Sequence, residues 1–258
     1  MTDNLYQMNP QERFSDRAKD YALYRPSYPP EAIDSILKGL SAPSQLIAAD
    51  IGAGTGISSR LLADKGVKVI AIEPNAAMRQ AAKPHSLVKF QDGNAENTQL
   101  ENNSVDLVTC FQAFHWFNPE PTLKEFARIL KPRGRLAAVW NNRDRQDEFT
   151  AEYSHLTKTV SNNQSELRYG TERFLCETSL FSTVTQLTFP ARQALDRLGL
   201  VGRAMSTSYI PKTGKPKEQF IDRLYKLYDK YRDEQGLVYL QYKTNVYINS
   251  HLISTNYV

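Results

Sequence analysis

The chain has 258 residues, 41% hydrophobic and 23% charged, which excludes intrinsic disorder, collagen-like repeats and low-complexity scaffolds. A chain this long buries a sizeable core without a disulfide or metal staple, and no apolar run approaches the ~18 residues of a membrane span. The net charge is +4, with eleven Lys/Arg against six Asp/Glu from Ala191 onward. This excess is too short for a nucleic-acid-binding stripe and suits either a solvated helix face or attraction of an anionic substrate.

The opening MTDNLYQMNPQERFSDR is polar and lacks an apolar signal core, so a cytoplasmic location without membrane attachment is expected. Tyr21, Tyr24 and Arg25 fall on a first helix, stopped by Pro26 and Pro29–Pro30. Apolar strands then alternate with helical patterns. Leu46–Ile51 (LIAADI) reads as a strand, Ile57–Lys65 as a helix closed by Gly66, and Val67–Ile72 (VKVIAI) as a second strand. Asn75–Ala82 reads as a helix, Leu87–Phe90 as a short strand and Val105–Ala113 (VDLVTCFQA) as a fourth strand. Pro121–Leu130 reads as a helix stopped near Pro132 and Gly134, ahead of a strand at Arg135–Trp140.

After Asn141 the rhythm breaks. Arg143–Gln164 is polar and helical in pattern, Thr183–Phe189 suits a strand, and Leu237–Asn249 (LVYLQYKTNVYIN) is a long alternating strand. In Lys217–Arg232, Phe220, Leu224, Leu227, Tyr228 and Tyr231 recur at helical spacing, as core packing requires. Strand–helix alternation with continuously apolar strands predicts parallel pairing and right-handed crossovers. The expected fold is α/β: a doubly wound, Rossmann-like, mostly parallel seven-stranded sheet with an antiparallel C-terminal edge hairpin. Cys110 and Cys176 have no ligand spacing, and His85, His115, His155 and His251 are scattered. No metal site is expected.

The sharpest motif is Asp50-Ile51-Gly52-Ala53-Gly54-Thr55-Gly56, placed between a strand and a helix. Glycines there permit a tight turn and close backbone approach to a ligand, with the turn's amides expected to face it. The spacing is GxGxG, not the GxGxxG of dinucleotide sites, and no Lys follows Gly56 as a phosphate loop demands. Glu73 follows the second strand, 21 residues after Gly52, where a carboxylate can accept from both ribose hydroxyls.

DIGAGTG, IEPN, DGNAE, SVDLVTCFQAFHWF and ARILKPRGRL, in that order, resemble the motifs of class I S-adenosylmethionine-dependent methyltransferases. RFSDRAKDYALYRPSYP is similar to the opening of a small-molecule subgroup that includes trans-aconitate methyltransferase. The resemblance is strong over residues 13–142 and weak beyond. It implies that Gly52, Ala53 and Gly54 approach the methionine part of the cofactor and that Asp50 orients the turn. It also implies that Glu73 holds the ribose, that Pro74 and Met78 pack on adenine and ribose, and that Asn94, Ala95 and Glu96 read the adenine edge. The family often has Asp where this chain has Asn94. Phe111 and Gln112 would lie beside the sulfonium. In the N-terminal segment, Tyr21, Tyr24 and Arg25 suit either a lid over the cofactor, with Arg25 pairing a carboxylate of cofactor or substrate, or a plain helix packed through its tyrosines.

His115 is the histidine nearest the expected chemistry, able to bind the acceptor, to deprotonate it or to serve as pocket wall. Trp116 joins it as an acceptor-side residue, its face suited to a cation. Arg203, Tyr209 and Lys212, with Arg197, could meet an anionic acceptor. The fourth strand lacks a [DN]PP[YFW] ending, which disfavours adenine and glutamine acceptors. A single domain over 1–258 is expected, with a helical lid at 1–30, a cofactor-binding core at 31–142 and a variable pocket or cap region at 143–217. The expected function is transfer of a methyl group from S-adenosylmethionine to a small carboxylate or other polar metabolite, with no nucleic-acid partner. The alternatives are an NAD-dependent oxidoreductase and a non-catalytic cofactor-binding module.

Overall fold

The computed structural model describes residues 5–7, 17–162 and 169–252. The expected residues 8–16 of the lid, including Arg13–Asp16 of the opening motif, lie outside the described residues, as do 163–164 at the end of the polar helix.

The strands are β1 (Ile47–Ile51), β2 (Lys68–Ile72), β3 (Val88–Gln91), β4 (Val105–Phe111), β5 (Leu130–Arg143), β6 (Phe181–Leu195) and β7 (Val238–Leu252). They form one seven-stranded sheet in the order β3-β2-β1-β4-β5-β7-β6. Pairing is parallel from β3 through β5 and antiparallel for β5–β7 and β6–β7. The doubly wound fold is as expected. The antiparallel pair is joined by two helices instead of a tight turn, and β7 inserts between β5 and the edge strand β6.

Residue alternation along each strand explains the two covered faces. Ala49, Ile51, Val108, Cys110, Ala138 and Trp140 pack to one side with Leu123, Phe126 and Ile129 of α5 (Pro119–Ile129). Ala48, Val69, Leu107, Ala137 and Val139 face the other, against α2 (Pro30–Leu37) and α3 (Ile57–Asp64), which bury Ile33, Ile36 and Leu62. Burial pushes the Cys110 thiol well above its ordinary value, in keeping with an inert core thiol.

The order reverses where β1 sits between β2 and β4, so the carboxyl ends of these strands open a crevice. A third cluster stands beyond the sheet. There α6 (Glu148–Val160), α8 (Arg197–Met205) and α9 (Gly214–Tyr231) pack on Leu195, Val238, Leu240 and Tyr242. Phe220, Leu224, Leu227 and Tyr228 are buried in it and Tyr231 packs against it, so the aromatic stripe is core. The helices of this cluster run on through α9, past residue 217.

Other differences from the sequence have local causes. The stop expected at Pro132 and Gly134 is a register break: Val105 pairs with Leu130 and Leu107 with Arg135, with Arg133 in the left-handed region at φ 69°. Helix α2 starts at Pro30, so the proline that ends one segment opens the next. Helix α8 carries Gly199 and Gly202, which weaken any helical signal, yet the Asp196 carboxylate caps it by accepting from the Gly199 amide at 2.6 Å. Two further short helices among the described residues are α4 (Ala76–Gln80), capped by Asn75, and α7 (Arg173–Glu177).

Candidate cofactor and acceptor site

A cavity of about 530 Å³ occupies the crevice, within the range of sites that enclose a small ligand. Gly52, Gly54, Glu73, Pro74, Met78, Asn94, Ala95, Glu96, Phe111 and Gln112, expected on the cofactor side, line it, and so does Trp116, expected on the acceptor side. Tyr6, Tyr21, Ala113, Phe117 and Asn118 also line it. Gly52 has φ 67°, and a Cβ there would sit 2.8 Å from that of Ala113 and 3.0 Å from the Phe117 ring. Only glycine fits.

The amides of the turn are not aimed at a ligand. Those of Gly52 and Ala53 donate to the Ile72 carbonyl at 2.9 and 3.1 Å, that of Gly56 to the Ala53 carbonyl, and that of Gly54 to Glu73 Oε2 at 2.8 Å. This corrects the expectation of a donor cradle. The turn offers bare Cα surface, and four of its N–H groups are already satisfied inside the protein.

Two carboxylates shape the turn from below and beside. Asp50 is fully buried and lines no cavity; Oδ2 accepts from Ser58 and Ser59 hydroxyls at 2.6 Å and Oδ1 from Thr109 at 2.8 Å. It ties β1, α3 and β4 together. Glu73 braces the turn through Gly54 and accepts from the Asn75 amide at 2.9 Å. Burial raises both acids above the ordinary carboxylate range, against hydrogen bonds that lower them. Glu96 accepts from the Asn118 amide at 2.9 Å, at the N-terminus of α5 where negative charge is favoured. Asn94 Oδ1 accepts from the Asn97 amide.

Two smaller cavities, about 60 and 30 Å³, adjoin the first, and Tyr21 and Gln112 line all three. Gln112 is a non-glycine residue at φ 55°, and its side chain donates to the Asn141 carbonyl at 3.0 Å. Strained backbone at the end of a central strand is characteristic of functional positions. The larger of the two small cavities is lined by Arg25, Arg143, Arg203, His115, Trp116, Asn141, Thr207, Tyr209 and Tyr242, among others, and no described lining residue is acidic.

Arg203 is 5% exposed. Its guanidinium donates only to neutral oxygens, Tyr242 Oη and Thr207 Oγ1, both at 3.3 Å. Burial disfavours its charge, but neighbouring phenols outweigh this and keep the pKa above the ordinary value. Arg143 donates to Thr157 Oγ1 at 2.7 Å and lies over the Tyr153 ring. Trp116 stacks on Tyr209, centroids 6.1 Å apart.

Helix α1 (Ala18–Tyr24) sits against α8. Arg17 donates to the carbonyls of Met205, Thr207 and Ile210, and Arg25 to that of Ser206. These bonds cap the C-terminal end of α8, where cations are favoured. Tyr24 packs on Gly202 and lines none of these cavities; its ring occupies the place of a Cβ, 2.3 Å away. Arg25 and Ala53 line the small cavities, not the large one. Lys212 lines none. Arg143, Asn141 and Tyr242 were not anticipated. Arg143 was findable, since WNNR ends a central strand at the sheet edge where ligands bind.

A doubly wound sheet with a glycine turn after β1 and an acid after β2 defines an α/β domain with its crevice at the switch point of the strand order. Residues 49–138 match the family described as methyltransferase domain. An uncharacterised methyltransferase of Mycobacterium tuberculosis is 42% identical over 134 residues, covering 51% of this chain and 53% of the relative. One from Schizosaccharomyces pombe is 36% identical over 145 residues, covering 55% and 58%. The chain thus spans about half the length of the curated relatives it matches. A solved structure from Anaeromyxobacter dehalogenans, assigned as a type II methyltransferase, superposes with TM-score 0.63 at 21% identity, over 89% of this chain and 98% of that one. The Bacillus subtilis YcgJ protein gives 0.55 at 18% identity, over 87% and 99%. These two share the fold. No helix among the described residues is long and apolar enough to cross a membrane.

Proposed function

We propose that the chain is an S-adenosylmethionine-dependent methyltransferase acting on a small carboxylate. The observation that carries the acceptor class is Arg203, a buried guanidinium that no described carboxylate pairs, in a cationic cavity adjoining the large one. A buried charge without a counter-charge costs several kcal/mol. An acceptor carboxylate would supply that charge, and guanidinium forks match its geometry.

The large cavity fits the cofactor in size and chemistry. Gly52 and Gly54 would let the methionine part approach, Glu73 would accept from the ribose hydroxyls through lone pairs left by its backbone bonds, and Pro74 and Met78 would pack on the nucleoside. Asn94, Ala95 and Glu96 would contact the adenine. Gln112 and Trp116 line both this cavity and the guanidinium cavity, Phe111 lines this one, and the three would flank the reacting groups. The cofactor supplies a methyl group already activated by a sulfonium. The inward-turned amides of the turn support this assignment over NAD, whose pyrophosphate needs amides at that helix N-terminus. A carboxylate acceptor is ionised at neutral pH and needs no base. Arg203 would orient it, with Arg25 and Arg143 adding positive field, while α1 acts as the lid that excludes water.

The test is transfer of radiolabelled methyl from S-adenosylmethionine to a panel of small mono-, di- and tricarboxylates, amines and phenols. The expected product forms only with the acids and is base-labile, as a methyl ester is. Transfer to amines or phenols alone would overturn the acceptor class. Binding of NAD without binding of S-adenosylhomocysteine would overturn the activity.

A further inference from the structure

Trp140 lies on β5 and His115 follows β4, both buried, and the indole Nε1–H donates to His115 Nδ1 at 3.2 Å. An indole nitrogen only donates, so the bond has one direction. Nδ1 must present its lone pair, and the proton of the neutral imidazole must lie on Nε2. Turning the ring over would set a carbon against the indole N–H and leave a donor on a 4% exposed side chain without a partner. Trp140 is itself fixed by edge-on contacts with Phe114 and Tyr247. The tilted Trp116 ring packs beside the imidazole at 5.3 Å.

We infer that His115 is a neutral Nε2–H hydrogen-bond donor in the acceptor cavity, locked in that tautomer by Trp140, and is not the base of the reaction. Its Nε2 already holds a proton. Protonating Nδ1 would turn two N–H groups against each other. Among the described charged groups, Arg25, Arg143 and Arg203 line the small cavity with it. On the groove it lines on its other side, Lys124 and Arg173 offset Glu120 and Glu177. The inference rests on the proposed carboxylate acceptor for its meaning, because only an ionised acceptor dispenses with a base, but its evidence is separate.

The test is nitrogen-15 NMR of the histidine rings in the full chain, with His115→Gln used to identify the signal. The expected wild-type ring has an unprotonated Nδ1 and a protonated Nε2, and does not titrate between pH 8 and about 5.5, although an ordinary histidine does so near 6.5. In Trp140→Phe the midpoint should return toward about 6.5 and the other tautomer should appear. A wild-type ring protonated on Nδ1, or titrating at the ordinary midpoint, overturns the inference, and the wild-type measurement decides even if Trp140→Phe does not fold. Among acids that pass the methyl-transfer panel, His115→Gln should lower kcat by less than the roughly 100-fold that a general base contributes, and a loss of 100-fold or more would reverse the assignment. Failure of the methyltransferase proposal would show instead as absent S-adenosylhomocysteine binding, leaving the tautomer readout intact.

Discussion

The two sides of the crevice are built differently. On the β1–β2 side the site is backbone shaped mostly by near neighbours: Gly54 meets Glu73 nineteen positions away and Asp50 meets Ser58 and Ser59 at eight and nine, with Thr109 of β4 the distant exception at 59. On the β5–β7 side it is side chains gathered from afar. Arg203 meets Tyr242 across 39 positions, Asn141 binds the Ser27 carbonyl across 114, and Arg25 reaches Ser206 across 181. The charges divide the same way. The first side has the acids Glu73 and Glu96 and the second has guanidiniums. A turn locked by its own neighbours suits an invariant ligand, whereas a pocket assembled across the chain can change its specificity without disturbing that turn.

The comparison breaks first at Gly52. Gly52→Ala forces an L-residue into φ 67° against Ala113 and Phe117, and calorimetry should show S-adenosylhomocysteine affinity down by more than about 100-fold, or about 2.7 kcal/mol. Arg203→Met should do the converse. The KM for the acid rises by about 10–100-fold, the scale of a charge-assisted hydrogen bond, while cofactor affinity holds within about twofold. Its thermal midpoint should hold or rise, because an uncompensated buried charge has been replaced by an apolar chain.

Gly202→Ala attacks the contact between α1 and α8. The new methyl group collides with the Tyr24 ring, and overpacking of this kind costs about 1–3 kcal/mol. Limited proteolysis should then cut near α1, with a lower melting midpoint and weakened binding on both sides, since Tyr21 lines all three cavities.

The smallest effect expected is that of pH. The folded Glu73 carboxyl holds its proton to higher pH than an ordinary glutamate because it is buried. Ribose hydroxyls would donate to the charged form, so cofactor binding should release a proton. Affinity should therefore fall as pH drops through that raised value, by at most tenfold per unit. In the apoprotein the same raised values at Asp50 and Glu73 have the opposite sign. Their contribution to stability is present below the unfolded carboxyl pKa and lost as pH rises through the folded one. Titrations in several buffers at pH 5–8 check both slopes.

Legibility in the sequence follows the same division. The sheet through β5 and the large-cavity residues were readable because strand, turn and helix signals there are local. Tyr24 was expected at the cofactor, but its place is set by Gly202, a helix position with no visible link to it. Lys212 drew notice as a cation in a basic stretch, yet charge alone does not tell which basic residues the fold turns inward. Arg143 and Tyr242 become site residues only once β7 is inserted between β5 and β6. The turn's glycines were recognised but the direction of its amides was not, since the Ile72 carbonyl that captures two of them belongs to another strand.

The most direct measurement is calorimetric titration of S-adenosylhomocysteine into wild type, Gly52→Ala and Arg203→Met, with NAD as control. The account predicts one site per chain in wild type and in Arg203→Met with near-equal affinity, loss in Gly52→Ala, and no heat from NAD. Equal weakening in both variants, or binding that survives Gly52→Ala, would contradict a cofactor site built on the turn and independent of the guanidinium pocket.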